Sequence, residues 1–210
     1  MLRTACAALL LVVASYGAAY WLTHDFQVWT AEGARRLEVA LAPVALPPVQ
    51  VEGPLLPAQP LPQWLAAQGQ VTVLDFIYTR CETVCLSLGS VFQQMQASLQ
   101  QTGPEEGVRL LSISFDGEHD TPERLAAYAK GLGADPALWQ FARVPKPEES
   151  AALLRRMQVV VVPDERGEFE HNAALLVLDA QARLVRVFDI AERELALNYA
   201  RHLAAGMRNR

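Results

Sequence analysis

Residues 75–88, DFIYTRCETVCLSL, carry the pattern that decides the fold: Cys81 and Cys85 stand four positions apart where a strand-like apolar run gives way to a helix-like one. The preceding run, VTVLDFIY (71–78), is rich in β-branched and aromatic residues. The following run, CLSLGSVFQQMQASLQ (85–100), repeats Leu88, Val91, Phe92, Met95 and Leu99 at helical spacing. With Cys85 in the first turn of that helix and Cys81 at or just before its start, a spacing of four brings both sulfurs to one face. Such a pair can close a disulfide, which needs Cα atoms within about 4.4–6.8 Å, or ligate one metal ion with two thiolates. Backbone N–H groups and the dipole at a helix start favour the thiolate form, and Arg80 is expected to add to that effect.

Working outward, VRLLSISF (108–115) is the next buried strand, and TPERLAAYAKGLG (121–133) offers a cap, a proline at the first helical position and a terminal glycine. Alternating strand and helix implies parallel pairing. LWQFARV (138–144) reads as a further short strand and PEESAALLRRMQ (147–158) as an amphipathic helix with acidic residues at its start. VVVVP (159–163), AALLVLD (173–179) and LVRVFD (184–189) read as strands, the last two joined by the turn AQAR as an antiparallel hairpin. AERELALNYARHLAAG (191–206) closes as a helix. The fold class is α/β: a thioredoxin-like mixed sheet that begins parallel, ends in a hairpin and is flanked by helices.

Upstream, residues 5–22, ACAALLLVVASYGAAYWL, carry no charge and nearly meet the roughly 20 residues that span a bilayer. Arg3 precedes the run, while His24 and Asp25 follow it, which places residues 1–4 in the cytoplasm and everything after Thr23 outside. A cleaved signal peptide is the alternative; Tyr16, Tyr20 and Trp21 at the far end favour a retained anchor with an interfacial aromatic belt. Residues 26–41 are read as extending the anchor helix. The proline-dense APVALPPVQVEGPLLPAQPLP (42–62) reads as a spacer that adds an edge hairpin around Gly53-Pro54. The division is therefore 1–4 cytoplasmic, 5–22 anchor, 23–62 juxtamembrane segment and linker, and 63–210 the main domain. A formal charge of −5, from 18 basic and 23 acidic residues without a basic block, argues against a nucleic-acid partner.

Export changes how the thiols read, because outside the cytoplasm cysteine pairs oxidise unless a reductase or a metal holds them. Cys6 is a small apolar residue of the anchor, which leaves Cys81 and Cys85 as the thiols of the exported domain. Of the four histidines, His24 abuts the anchor, His202 lies in the final helix and His119 sits in the surface connection DGEHDTPE. His171 follows the loop PDERGEFE and enters the strand NAALLVLD. Two thiolates and one imidazole suit copper, as Cu+ or Cu2+, whereas structural zinc would want another Cys or His. A structural disulfide and a redox pair remain open, although C-x-x-x-C is not the tighter C-x-x-C redox motif.

The blocks DFIYTRCETVC, SISFDGEHDTPERLAAYAK and GEFEHNAALLVLDAQARLVRVF, in that order behind an anchor, resemble the Sco family, also called SenC-type proteins. The resemblance covers roughly residues 63–205. It implies a thioredoxin-like domain in the periplasm, tethered to the bacterial inner membrane, that binds one copper ion through Cys81, Cys85 and His171. It also implies delivery of copper to the dinuclear CuA centre of cytochrome c oxidase subunit II, or to another copper protein. The enzymatic alternative is thiol-disulfide exchange, in which Cys81 attacks a partner disulfide, Cys85 resolves it and a thioredoxin-like reductase regenerates the pair. Thr79 and Arg80 also invite comparison with peroxide-reducing sites, but the second cysteine and the histidine fit copper better. The family usually has proline after the second cysteine, where this chain has Leu86. Glu170 is a candidate hydrogen-bond partner for the imidazole.

Overall fold

The computed structural model describes residues 2–26, 28–80, 84–102, 107–163 and 169–208, and the chain divides into two compact units, Met1–Leu41 and Ala42–Arg210. In the first unit, helix α1 (Leu2–Leu22) is long and apolar enough to cross a membrane. The expected continuation through 26–41 does not occur. His24, Asp25 and Phe26 take left-handed backbone conformations, which end a right-handed helix, and the Thr23 hydroxyl caps the break by accepting from the Phe26 N–H at 3.1 Å. A separate helix α2 (Ala31–Leu41) starts afresh, with Thr30 Oγ1 accepting from the Gly33 N–H at 3.0 Å.

The second unit is built on an eight-stranded sheet. Its centre is β4 (Val71–Ile77), β5 (Val108–Ser114) and β6 (Trp139–Arg143), paired in parallel with Val71 opposite Val108 and Leu110 opposite Trp139. The crossovers run through α4 (Val84–Thr102) and α5 (Pro122–Gly131), as the alternation of strand and helix requires. On the other side of β4 lies the antiparallel hairpin of β9 (Leu175–Leu178) and β10 (Arg183–Phe188). Its turn is fixed by Asp179, whose Oδ1 accepts from the Gln181 and Arg183 N–H groups at 3.0 and 2.9 Å.

The proline-dense segment forms the edge hairpin read from its sequence: β2 (Gln50–Gly53) and β3 (Leu56–Pro60) pair antiparallel, and β2 joins β6 at Glu52–Arg143. Arg143 Nε donates to Glu52 Oε1 at 2.9 Å across that pair. Prolines are tolerated here because the edge position leaves few backbone donors to satisfy. A two-residue strand β1 (Val44–Ala45) covers the opposite edge against β10. The helix α3 (Leu61–Gln68) leads into β4, α6 (Pro147–Arg156) follows β6, and α7 (Arg193–Arg208) closes the chain.

Every residue of β4 and β5 is buried, as expected for strands covered on both faces. Val71, Val73 and Ile77 of β4 pack with Leu88, Phe92, Met95 and Leu99 of α4 and with Ala196, Leu197, Ala200 and Ala204 of α7. The α4 residues are those whose spacing predicts the helix. This packing fixes the start of α4 relative to the end of β4, the junction in which the cysteine pair lies.

The remaining two strands stand apart from the main sheet. β7 (Val161–Pro163) and β8 (Phe169–His171) form a two-stranded ribbon with Val161 opposite His171 and Pro163 opposite Phe169. Phe169 and Glu170, read as the end of a loop, thus belong to a strand, and His171 ends a ribbon strand instead of entering β9, which begins at Leu175. Asn172 accounts for the separation: its Oδ1 accepts from the Val160 N–H at 2.7 Å and its own N–H donates to Val160 O at 3.3 Å, so the chain pairs with β7 before it turns into the sheet.

Candidate metal centre

Cys85 is the second residue of α4, in its first turn, as the sequence pattern anticipates, and the helix starts at Val84 without the proline usual in the resembled family. Cys81 lies outside the described residues. His171 is the last residue of β8. The side chains of Cys85, Glu170 and His171 likewise lie outside what the structure describes, and the residues around them define the candidate site.

The approach to Cys81 is held by two carboxylates of the β5–α5 connection. Asp120, fully buried, accepts from the Thr79 N–H at 2.9 Å, from the Thr79 hydroxyl at 2.5 Å and from the Ser114 hydroxyl at 2.6 Å. Asp116 accepts from Arg80 Nη2 at 2.9 Å and contacts His119 Nδ1 at 2.8 Å. Arg80, expected to promote thiolate formation, is therefore paired with a carboxylate, which offsets its charge at the cysteines. His119 is half exposed, in keeping with the loop role assigned to it. The connection is pressed against β6: a Cβ added to Gly117 would stand 2.0 Å from Val144 O, so only glycine fits. Thr121 caps α5 by accepting from the Arg124 N–H at 3.4 Å, and Pro122 occupies the first turn.

A second set of contacts joins this junction to the ribbon. Tyr78, 2% exposed, donates its hydroxyl proton to Phe169 O at 3.2 Å and accepts from the Phe169 N–H at 3.1 Å. Its ring meets those of Phe115 and Phe169 at centroid distances of 5.4 and 5.2 Å, and Phe115 and Phe169 are 5.4 Å apart. Residues 91 positions apart in sequence are thus in contact, one three positions before Cys81 and the other two before His171. Two cysteine sulfurs and one imidazole, were they brought together, would form a donor set whose chemistry suits copper.

Beneath this end of the sheet, Asp75 shares the face of β4 with Val73 and Ile77 by the strand period. Burial pushes its carboxyl up to about 7, against the lowering effect of a hydrogen bond with Ser112, and its Oδ1 lacks a partner. Among the described residues, no group of three or more His, Cys, Asp or Glu side chains is arranged to hold a metal. A cavity of about 310 Å³ between the β2–β3 hairpin and α5 is lined by Leu55, Leu56, Ala129 and Trp139, and its wall contains no such side chain.

A model of the SCO1/SenC family matches residues 63–205. The chain belongs to the SCO1/SenC family. The SCO1 protein homolog of Bacillus subtilis (strain 168) is 24% identical over 127 residues, which cover 60% of this chain and 65% of the length of that relative. BsSco, a member of the Sco family of cytochrome c oxidase assembly proteins in which a disulfide switch has been identified, aligns with a TM-score of 0.66 at 20% identity, over 78% of this chain and 95% of its own. Bradyrhizobium japonicum ScoI, solved with copper bound, aligns with a TM-score of 0.57 at 24% identity, over 76% of this chain and 99% of its own. These structures share the thioredoxin-like fold of this SCO1/SenC chain.

Tyr78, Phe169, Asp116, Asp120 and Asp75 are the contributors that the sequence pattern leaves unassigned. The Asp-x-x-x-Asp spacing of residues 116–120 marks the two clamping carboxylates without stating their partners. Tyr78 and Asp75 read as ordinary residues of an apolar strand, because nothing local distinguishes a buried hydroxyl or carboxyl that has work to do.

Proposed function

We propose that the chain is a membrane-anchored copper metallochaperone in which Cys81, Cys85 and His171 hold one copper ion. Residues 5–22 cross the inner membrane, residues 1–4 lie in the cytoplasm and the copper-binding domain lies in the periplasm. The recipient is the CuA centre of cytochrome c oxidase subunit II or another copper protein. The observation that carries this reading is the contact of Tyr78 with Phe169, which joins the chain just before Cys81 to the strand that ends at His171. The copper-bound relative and the oxidase-assembly family of BsSco support it. Copper is cargo here: the thiolates at the helix start supply soft, anionic donors, and the imidazole supplies a neutral one from a separate element, so the site can open without unfolding either cysteine's element. In the His171→Ala chain, cuprous and cupric binding should weaken at least tenfold and the cupric absorption spectrum should change. Full affinity with an unchanged spectrum would refute the three-ligand site.

A second reading, thiol-disulfide exchange, is favoured by the first-turn position of Cys85. The Cys81 thiolate would attack a partner disulfide and release one partner thiolate. The Cys85 thiolate would then displace the second, leaving a Cys81–Cys85 disulfide and a partner reduced by two electrons, with a thioredoxin-like reductase restoring the pair. A Cys85→Ser chain that traps a mixed disulfide while His171→Ala leaves function intact would favour exchange over copper delivery.

A further inference from the structure

The ribbon that ends at His171 is joined to the sheet through a hydrogen-bonding pattern that singles out one side chain. Asn172 N–H donates to Val160 O, so the 160–172 pair is a hydrogen-bonded rung of the antiparallel ladder. Such rungs alternate, which makes Val162–Glu170 the next bonded pair and Pro163–Phe169 a non-bonded one. Pro163 fits there because its missing N–H would have no partner at that position. By the same alternation, the N–H and C=O of Phe169 face away from β7. Both are taken up by the Tyr78 hydroxyl, which stands in for one residue of a third strand. β8 is therefore tethered on both sides of His171, by Tyr78 at Phe169 and by Asn172 at the next residue after it.

We propose that Tyr78 is a positioning residue for the third ligand: its hydroxyl, by gripping both backbone groups of Phe169, sets how far the His171 strand stands from Thr79 and Arg80, the residues that lead to Cys81. The inference rests on the reading of Cys81, Cys85 and His171 as the ligand set. A phenylalanine at position 78 would keep the ring contacts with Phe115 and Phe169, and the pair of hydrogen bonds is what it would lose. With the hydroxyl gone, the two Phe169 groups turn to water, and a shift of the ribbon costs little. Ligand geometry is sensitive to shifts of this size, because a metal–imidazole bond tolerates only a few tenths of an ångström.

The test is a double-mutant cycle on the detergent-solubilised full chain, with cuprous and cupric ions titrated against a chromophoric chelator. Tyr78→Phe should weaken copper binding about tenfold and shift the cupric spectrum, yet have no further effect in a His171→Ala background. In the metal-free protein, amide exchange at residues 169–171 should quicken about tenfold while β4 and β5 keep their protection. Equal weakening with and without His171 would overturn the proposal, since Tyr78 would then act on the fold as a whole. Unchanged affinity in the otherwise native chain would overturn it too, as would failure of Tyr78→Phe to fold. The His171→Ala arm reports the parent reading alone: if that substitution costs no affinity, the ligand set fails and the positioning role fails with it. If it costs affinity while Tyr78→Phe does not, only the positioning role is lost.

Discussion

The β4–β5 core and the β7–β8 ribbon lie next to the same site and are held in opposite ways. The core strands are buried along their whole length, with α4 and α7 packed together on the β4 face that carries Val71, Val73 and Ile77, so the cysteine junction inherits its position from many apolar contacts acting together. The ribbon is three residues on each side, with Val162 53% exposed and Val160, just before it, 60% exposed. It is fixed through hydrogen bonds at Phe169 and Asn172 and through one ring, that of Phe169, against Tyr78 and Phe115. In the proposed function this difference would suit capture and release of a cargo ion: one side is held by many apolar contacts, the other by a few hydrogen bonds and one aromatic ring. Local stability in folded proteins commonly spans this range, with functional segments at the weak end.

The contrast is broken most severely from the core side. Phe92→Ala removes a fully buried ring that packs 5.5 Å from the Trp139 ring, and should cost about 3–5 kcal/mol by urea denaturation. Asp75 gives a comparable effect that depends on pH. Its carboxyl titrates near 7 when folded, against 3.8 ordinarily, so the folded chain holds the proton more tightly than the unfolded chain does. Stability from this group is therefore greatest below about pH 4, falls as pH rises toward 7 and stays low above it. The Asp75→Asn chain lacks this titration and should gain on the parent by roughly 3–5 kcal/mol between pH 4 and pH 8, read from paired urea midpoints across that range. A constant difference between the two would place the buried carboxyl in a polar setting after all.

Asp120→Ala should cost about 1–3 kcal/mol, because it strands the buried Ser114 hydroxyl and the Thr79 N–H, and should quicken amide exchange at Thr79. The smallest effect belongs to the ribbon: Val162→Ala should stay within about 0.5 kcal/mol of the parent in thermal unfolding. A loss as large as that of Phe92→Ala would mean that the ribbon is part of the core and would remove the contrast.

Much of the core is legible in the sequence because burial there repeats with the period of the element. Leu88, Phe92, Met95 and Leu99 announce a helix, and the apolar runs 71–78 and 108–115 announce strands covered on both faces. The helix start beside Cys85 follows from the same pattern. The ribbon is not legible, since three-residue strands carry no period and their pairing is set by Asn172 and by a tyrosine 91 residues away from Phe169. The break between α1 and α2 escapes for a related reason: left-handed conformations at His24, Asp25 and Phe26 carry no glycine to mark them. Arg80 illustrates a different gap, because its charge is plain in the sequence and its pairing with Asp116 is not.

The central claim is that two sulfurs from the cysteine junction and one nitrogen from the ribbon meet on a single copper ion. X-ray absorption at the copper edge, recorded on the full chain loaded with one equivalent of cuprous ion, reads that ligand set directly. The account predicts two sulfur scatterers and one imidazole nitrogen, with the imidazole signal lost in the His171→Ala chain. Two sulfurs without an imidazole, or an imidazole signal that persists in His171→Ala, would contradict it.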